Sequence, residues 1–220
     1  MKALIIGASG GIGGAFVETL QGRGAEVETL SRSQHGLDVT DEASVEAALS
    51  AFDDPFDLIL VATGALEIDG AAPEKSLKSL SVPAMLNQFA LNAVGPALVL
   101  KHAVRLLPRD RRAVFAALSA RVGSIGDNRL GGWYSYRTAK TALNQIVRTA
   151  SIELARSHPD LICVALHPGT VATDFTAKYL GRHAAVPPGQ AAENLLSVID
   201  TLESAQTGGF FDWAGKAVDW

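Results

Sequence analysis

The stretch MKALIIGASGGIGGAFVETL, residues 1–20, sets the architecture. Residues 3–6 are a short apolar run, the pattern of a buried strand, and Ile12, Phe16 and Leu20 then recur at helical spacing. Between them lies a loop of small residues with glycine at 7, 10, 11, 13 and 14. A strand feeding a helix through such a loop gathers free backbone N–H groups and the positive end of a helix dipole at one point, which suits a phosphate. Glycine is required where a Cβ would block the tight turn or the approach of a pyrophosphate. The spacing is G-x-x-x-G-x-G (Gly7, Gly11, Gly13) rather than the commoner G-x-G-x-x-G. A plain turn between core strand and core helix is the competing reading, and nucleotide binding is the favoured one.

A chain of 220 residues fits one domain with a large core, residues 1–220. Apolar residues make up 48% and charged residues 19%, an ordinary balance for a soluble protein. A net charge of −4 offers nothing to nucleic acid or to an anionic membrane. Cys163 sits in an apolar run, so a buried unpaired thiol in a reducing compartment is expected. The first apolar run is too short for a signal peptide, and no apolar stretch is read as reaching bilayer length. A cytoplasmic protein is expected.

Further strands are expected at residues 25–30, 57–62, 113–118, 161–166 and 209–211, and helices at 82–107, 136–157 and 190–203. The first of these helices carries Leu86, Phe89, Ala90, Ala93, Ala97, Leu98 and Val104 on a broad apolar face, with Gly95-Pro96 allowing a bend. Thr40 is expected to cap a short helix bearing Val45, Ala48 and Leu49. Strand alternating with helix predicts a doubly wound parallel sheet with helices on both faces, an α/β Rossmann arrangement. Dinucleotide sites commonly place an acid after the second strand to hold the adenosine ribose, and here stand Ser31 and Arg32. Serine and a guanidinium can bind a 2′-phosphate that a carboxylate would repel, so NADP(H) is expected over NAD(H). Asp38, before Val39, either accepts from an adenine amino group or caps a turn. Gly64, in Ala62-Thr63-Gly64, again puts glycine at a strand's carboxyl end, where such sheets bind ligands.

Tyr136 and Lys140 stand four apart, on one face of a helix. A nearby cation favours a phenolate, lowering the phenol pKa toward the range where tyrosine can exchange a proton with a substrate oxygen.

Taken together, these motifs resemble the short-chain dehydrogenase/reductase family over essentially the whole chain. Gly7-Ala8-Ser9-Gly10-Gly11-Ile12-Gly13 matches the family's cofactor loop, Ala62-Thr63-Gly64 its Asn-Ala-Gly stretch and Leu91-Asn92 its helix asparagine. Tyr136 and Lys140 match its catalytic pair, and Pro168-Gly169-Thr170-Val171 with Thr173 its loop over the nicotinamide. Residues 121–128 and 132–137 resemble the branch of C-factor and sniffer-like carbonyl reductases. The resemblance implies a sheet of about seven strands and hydride transfer between nicotinamide and a carbonyl or alcohol carbon. It makes Tyr136 the general acid, Lys140 its partner and ribose ligand, and Asn92 the holder of a relay water. It further implies a homodimer or homotetramer built on the long helices, with a monomer as the alternative. A cofactor-binding signalling protein with little turnover is the rival function.

One departure stands out. The family usually ends its fifth strand with two serines, the second polarising the substrate carbonyl, and this chain reads Leu118-Ser119-Ala120. Ser119 is expected to take that role, against Ser124 or no serine at all. The five histidines have no metal-ligand spacing, and no metal is expected. His167 reads as a strand-end residue, Trp133 as pocket lining or loop packing, and the polar stretch between Thr173 and Pro188 as a lid.

Overall fold

The computed structural model describes residues 1–179 and 185–220. Strand β1 (Lys2–Ile6) leads into helix α1 (Gly11–Gly22), followed by β2 (Glu26–Leu30), the one-turn α2 (Arg32–His35), α3 (Glu42–Ser50) and β3 (Leu58–Val61). A long helical run then comprises α4 (Val82–Phe89), a π-helical segment (Ala90–Val94) and α5 (Gly95–Ala103). The second half contains β4 (Ala113–Leu118), α6 (Tyr134–Leu154), β5 (Leu161–His167), α7 (Pro188–Thr201) and β6 (Phe210–Asp212).

The strands are ordered β2-β1-β3-β4-β5-β6, and every neighbouring pair is parallel. Among the described residues the sheet has six strands rather than about seven. After β6 the chain turns back at Gly215 and adds only an antiparallel bridge, Phe211 to Ala217. Alternate side chains of each strand serve opposite faces. In β4, Ala113, Phe115 and Ala117 join the core under α3, α5 and α6, whereas Val114, Ala116 and Leu118 join the core under α1 and α7. Burial on both faces explains why these strands read as continuous apolar runs.

The order reverses between β1 and β3, and their carboxyl ends form the crevice where open α/β sheets bind ligands. Gly7, at φ +93°, sits where a Cβ would stand 2.9 Å from the Ala62 carbonyl carbon, so the two strand ends meet backbone to backbone.

Two of three expectations need correction. Asp41, not Thr40, caps α3, its carboxylate accepting from the Ala43 N–H at 3.1 Å. At Gly95-Pro96, where the sequence allows a bend, the π-helical segment Ala90–Val94 passes directly into α5. The continuous run Val82–Leu106 is also long and apolar enough, at mean hydropathy 1.2, to cross a bilayer by length and composition. In this fold it packs on the sheet and on α6, burying Ala93, Val99, Leu100 and Ala103.

Candidate active site

The glycine loop is assembled from backbone. Gly10 caps α1 without any side-chain bond, leaving the first-turn N–H groups facing the crevice. A Cβ on Gly13 would lie 2.2 Å from the Gly7 carbonyl oxygen, and one on Gly11 would lie 2.7 Å from Thr173 Cγ2. Thr173 therefore lies directly against the loop at Gly11. Its segment is held in place by pairing of Val171 with Val186 and by an Ala172 N–H···O=C Val186 bond of 2.9 Å. Gly169, at φ +78°, packs against the Trp213 ring, with Pro168 half-buried before it. Ser9 is exposed at the loop tip and Ile12 is half-buried.

At the end of β2 the two expected phosphate ligands part company. Ser31 is buried, caps α2 by accepting from the Gln34 N–H at 3.3 Å, and donates its own N–H to His35 Nδ1 at 3.1 Å. Arg32 alone stands exposed. Asp38 takes the turn-capping alternative: its Oδ1 accepts from the Thr40 N–H at 2.9 Å and from the Thr40 hydroxyl at 2.7 Å. These bonds hold its carboxyl below the usual carboxylate range, with Arg32 a minor contributor. Val39 is buried against Gly95.

The reacting end lies where α6 begins. Tyr136 and Lys140 are 6% and 3% exposed, and Lys140 Nζ lies 5.8 Å from the Tyr136 ring centre. Lys140 donates to the Leu118 carbonyl at 2.9 Å, which ties α6 to the end of β4. Burial pushes the Tyr136 phenol above its ordinary range and pulls Lys140 down to about 7. Taking either group out of water disfavours its charged form, so desolvation alone favours the neutral form of each.

Asn92 sits in the π-helical segment, fully buried. Its Nδ2 donates to the Ala65 carbonyl at 3.0 Å and to Gln88 Oε1 at 2.7 Å. Its Oδ1 has no hydrogen-bond partner among the described residues and lies 2.7 Å from where a Gly64 Cβ would stand, with Lys140 Nζ at 3.5 Å from that point. Asn92, Gly64 and Lys140 are therefore brought together. Wide turns of this kind occur frequently at functional sites, because they re-aim a side chain without ending the helix. Thr63 Oγ1 is likewise buried without a partner among the described residues.

The expectation for Ser119 meets a competing bond. Its hydroxyl donates to Asn144 Oδ1 at 2.6 Å, so its proton is spent within the protein. Ser124 Oγ accepts from the Asp127 N–H at 3.0 Å, and half-buried Ala120 occupies the intervening place. Asn144 continues the Tyr136, Lys140 face by one more turn, a spacing that could have flagged it. Gln88, four residues before Asn92, carried the same signal. Trp133 packs edge-on against Tyr136 and Tyr179 at 6.3 and 5.5 Å, the packing alternative of its two readings. Phe175 packs on Tyr136, and both Lys178 and the Tyr179 hydroxyl bond to Glu67. Part of the expected lid, residues 180–184, lies outside the described residues. His167 ends β5 with its Nδ1 unpartnered, and burial, aided by Arg121 against Asp212, lowers it to about 4.

The family model for short chain dehydrogenases matches residues 1–182. Over 99% of its length the chain is 31% identical to 1-hydroxy-2-glutathionyl-2-methyl-3-butene dehydrogenase of Rhodococcus sp. strain AD45, covering 98% of that protein. It is 37% identical to the C-signal protein of Myxococcus xanthus over 62% of this chain and 78% of that one. The NADPH-bound carbonyl reductase from chicken fatty liver superposes with a TM-score of 0.86 at 25% identity, covering 100% of this chain and 98% of that one. The carbonyl reductase Sniffer of D. melanogaster shares the fold at TM-score 0.83 and 21% identity, over 100% of this chain and 99% of that one.

Proposed function

Because the chain belongs to the short-chain dehydrogenase family and is thereby an NAD(P)-dependent oxidoreductase, we propose that it prefers NADP(H) and acts on a small carbonyl or alcohol with Tyr136 as general acid/base. The observation that carries this reading is the placing of Tyr136 and Lys140, buried on one face of α6, at the same crevice as the glycine loop and Gly64. The residues fit a dinucleotide: the cradle at Gly7 and Gly13 is one that a Cβ would fill, and Asn92 Oδ1 and Thr63 Oγ1 are buried without partners among the described residues. When bound, the nicotinamide supplies or accepts the hydride.

The loop from Gly7 to Gly13, with Ser9, Gly11 and Ile12, holds the diphosphate by backbone N–H groups. Arg32 faces the 2′-phosphate, and Asp38 and Val39 border the adenine side. Ala62, Thr63, Gly64, Pro168, Gly169, Val171 and Thr173 wall the nicotinamide side. Tyr136, kept protonated by burial, is poised to donate to the substrate oxygen in reduction. Lys140 holds the ribose, and Asn92, with its free Oδ1, holds a relay water. NADP preference draws on exposed Arg32, on the absence of an acid after β2, and on the NADPH-bound relative. We also read the protein as cytoplasmic, consistent with free, buried Cys163. Val82, Leu86 and Phe89 stand exposed on α4, and a homodimer or homotetramer would cover them; a monomer by light scattering would remove that part.

The test is NADPH consumption against aldehydes, ketones and quinones by wild type and Tyr136→Phe. The expected result is turnover that falls about a thousandfold in the variant with NADPH affinity preserved. Tight NADPH binding with no turnover by either protein would overturn the enzyme. It would favour a cofactor-binding signalling protein, a reading supported by the Ser119 proton being spent on Asn144.

A further inference from the structure

The approach to α6 is strained. Gly131, Gly132 and Trp133 have φ of +63°, +66° and +53°, and Trp133 is one of only two non-glycine residues with positive φ among the described residues. Trp133 is also the N-cap of α6, and it contributes no side-chain bond to the helix start. A left-handed tryptophan and an uncapped first turn persist only where surrounding groups over-determine them.

Those groups come from one residue of the irregular loop after β3. Glu74 is 6% exposed. Its carbonyl accepts the Trp133 N–H, its Oε2 accepts the Ser135 N–H at 3.1 Å, and its Oε1 accepts the Ser135 hydroxyl. No cation pairs with Glu74 among the described residues, and its carboxylate lies at the amino-terminal end of α6. Ser135 is the residue immediately before Tyr136, and Glu74, Ser135, Tyr136 and Gln88 line one small recess. The same loop is tied at its other end to Asn92's helix, since Gln88 Nε2 donates to the Leu66 carbonyl at 2.9 Å and Asn92 Nδ2 to Ala65.

We propose that Glu74 is a positioning residue: it clamps the Trp133–Ser135 turn and thereby sets the Tyr136 phenol relative to Asn92. The loop from Ala65 to Glu74 is then a strut between the two elements that carry the proton-handling side chains. This inference rests on Tyr136 being the proton donor, as proposed above.

Full-chain wild type, Glu74→Gln, Glu74→Asp and Ser135→Ala are compared by amide hydrogen exchange at the first turn of α6, by NADPH titration, and by turnover of 4-nitrobenzaldehyde. Aspartate is too short to reach Ser135. It should speed exchange at Ser135 and Tyr136 about tenfold and lower kcat by about the same factor, leaving NADPH affinity within roughly twofold. Ser135→Ala, which keeps one of the two side-chain bonds, should fall between. Glutamine can still accept from the Ser135 N–H and donate to its hydroxyl, and should restore protection and most of kcat. Unchanged exchange in Glu74→Asp, or a glutamine variant as impaired as the aspartate, overturns the clamp. Exchange needs no turnover, and a Tyr136→Phe control that retains wild-type kcat would instead defeat the activity reading.

Discussion

At the carboxyl end of β1 the crevice is walled by backbone, and at the start of α6 it is walled by side chains. The first wall works by omission: Gly7 and Gly13 leave room, and no side chain caps α1. The second works by over-supply, with Glu74, Ser135, Gln88, Asn92, Asn144 and Lys140 bonded to one another's elements around a buried phenol. A ligand's charge can be met by fixed peptide dipoles, which need only space. A reacting oxygen needs a donor held at a set place and protonation state, which takes many contacts. Damage to the first wall should therefore abolish binding, and damage to the second should slow chemistry while binding survives.

The largest expected effect is on the backbone wall. Gly13→Ala sets a Cβ 2.2 Å from the Gly7 carbonyl oxygen, a contact that only a backbone shift can relieve. NADPH affinity should drop by roughly a hundredfold or more, equivalent to ~2.7 kcal/mol, in a fluorescence titration. Affinity within threefold of wild type would show that the loop is not the anchor.

Lys140→Met strikes the side-chain wall and separates activity from stability. Turnover should fall by about a hundredfold. Stability should move the other way with pH. The folded pKa of Lys140, about 7, lies below the ordinary 10.5, so between those values the unfolded chain binds more protons. Wild-type stability therefore gains from this residue as pH rises from about 7 toward 10. Methionine has no such term, so its advantage over wild type in urea unfolding should be greatest near pH 7 and shrink toward about pH 9.5. A difference independent of pH would mean that Lys140 is not desolvated.

These two walls also differed in how far the sequence disclosed them. Gly7, Gly13, Tyr136 and Lys140 were readable because strand, loop and helix periodicities fix their relative places over short separations. Asn92 entered through a motif, and Gln88 and Asn144 lay one helical turn from residues already singled out. Glu74 left no trace, since it sits in a stretch without period and acts on a residue 61 positions away. Ser31 and Asp38 are ambiguous in sequence for a related reason. Their residue types suit a ligand, but the local turns of α2 and Thr40 use the same oxygens first. The seventh strand was an expectation borrowed from the resemblance, and the apolar runs themselves number six.

A smaller effect is expected at the outer edge of the binding wall. Arg32 is exposed, so removing it should cost a screened phosphate contact and little else. Arg32→Ala should raise the Michaelis constant for NADPH by about tenfold and leave that for NADH nearly unchanged. Equal effects on both would assign Arg32 to the solvated surface.

Ser119→Ala should be the mildest, and it sharpens the comparison most. A hydroxyl has one proton, and that of Ser119 is donated to Asn144 Oδ1 at 2.6 Å, so a substrate oxygen could receive it only by rotation that strands Asn144. Removing the hydroxyl then loosens Asn144, whose Nδ2 still reaches the Gly123 carbonyl at 3.4 Å, without removing a donor from the developing oxyanion. Loss of a true oxyanion donor costs ~2.7–4 kcal/mol, a hundredfold or more in kcat. A loss below about threefold is expected instead, with any change appearing in thermal stability. A kcat loss near the larger figure would return Ser119 to the substrate and make the second wall the source of the carbonyl's polarisation as well as of its proton.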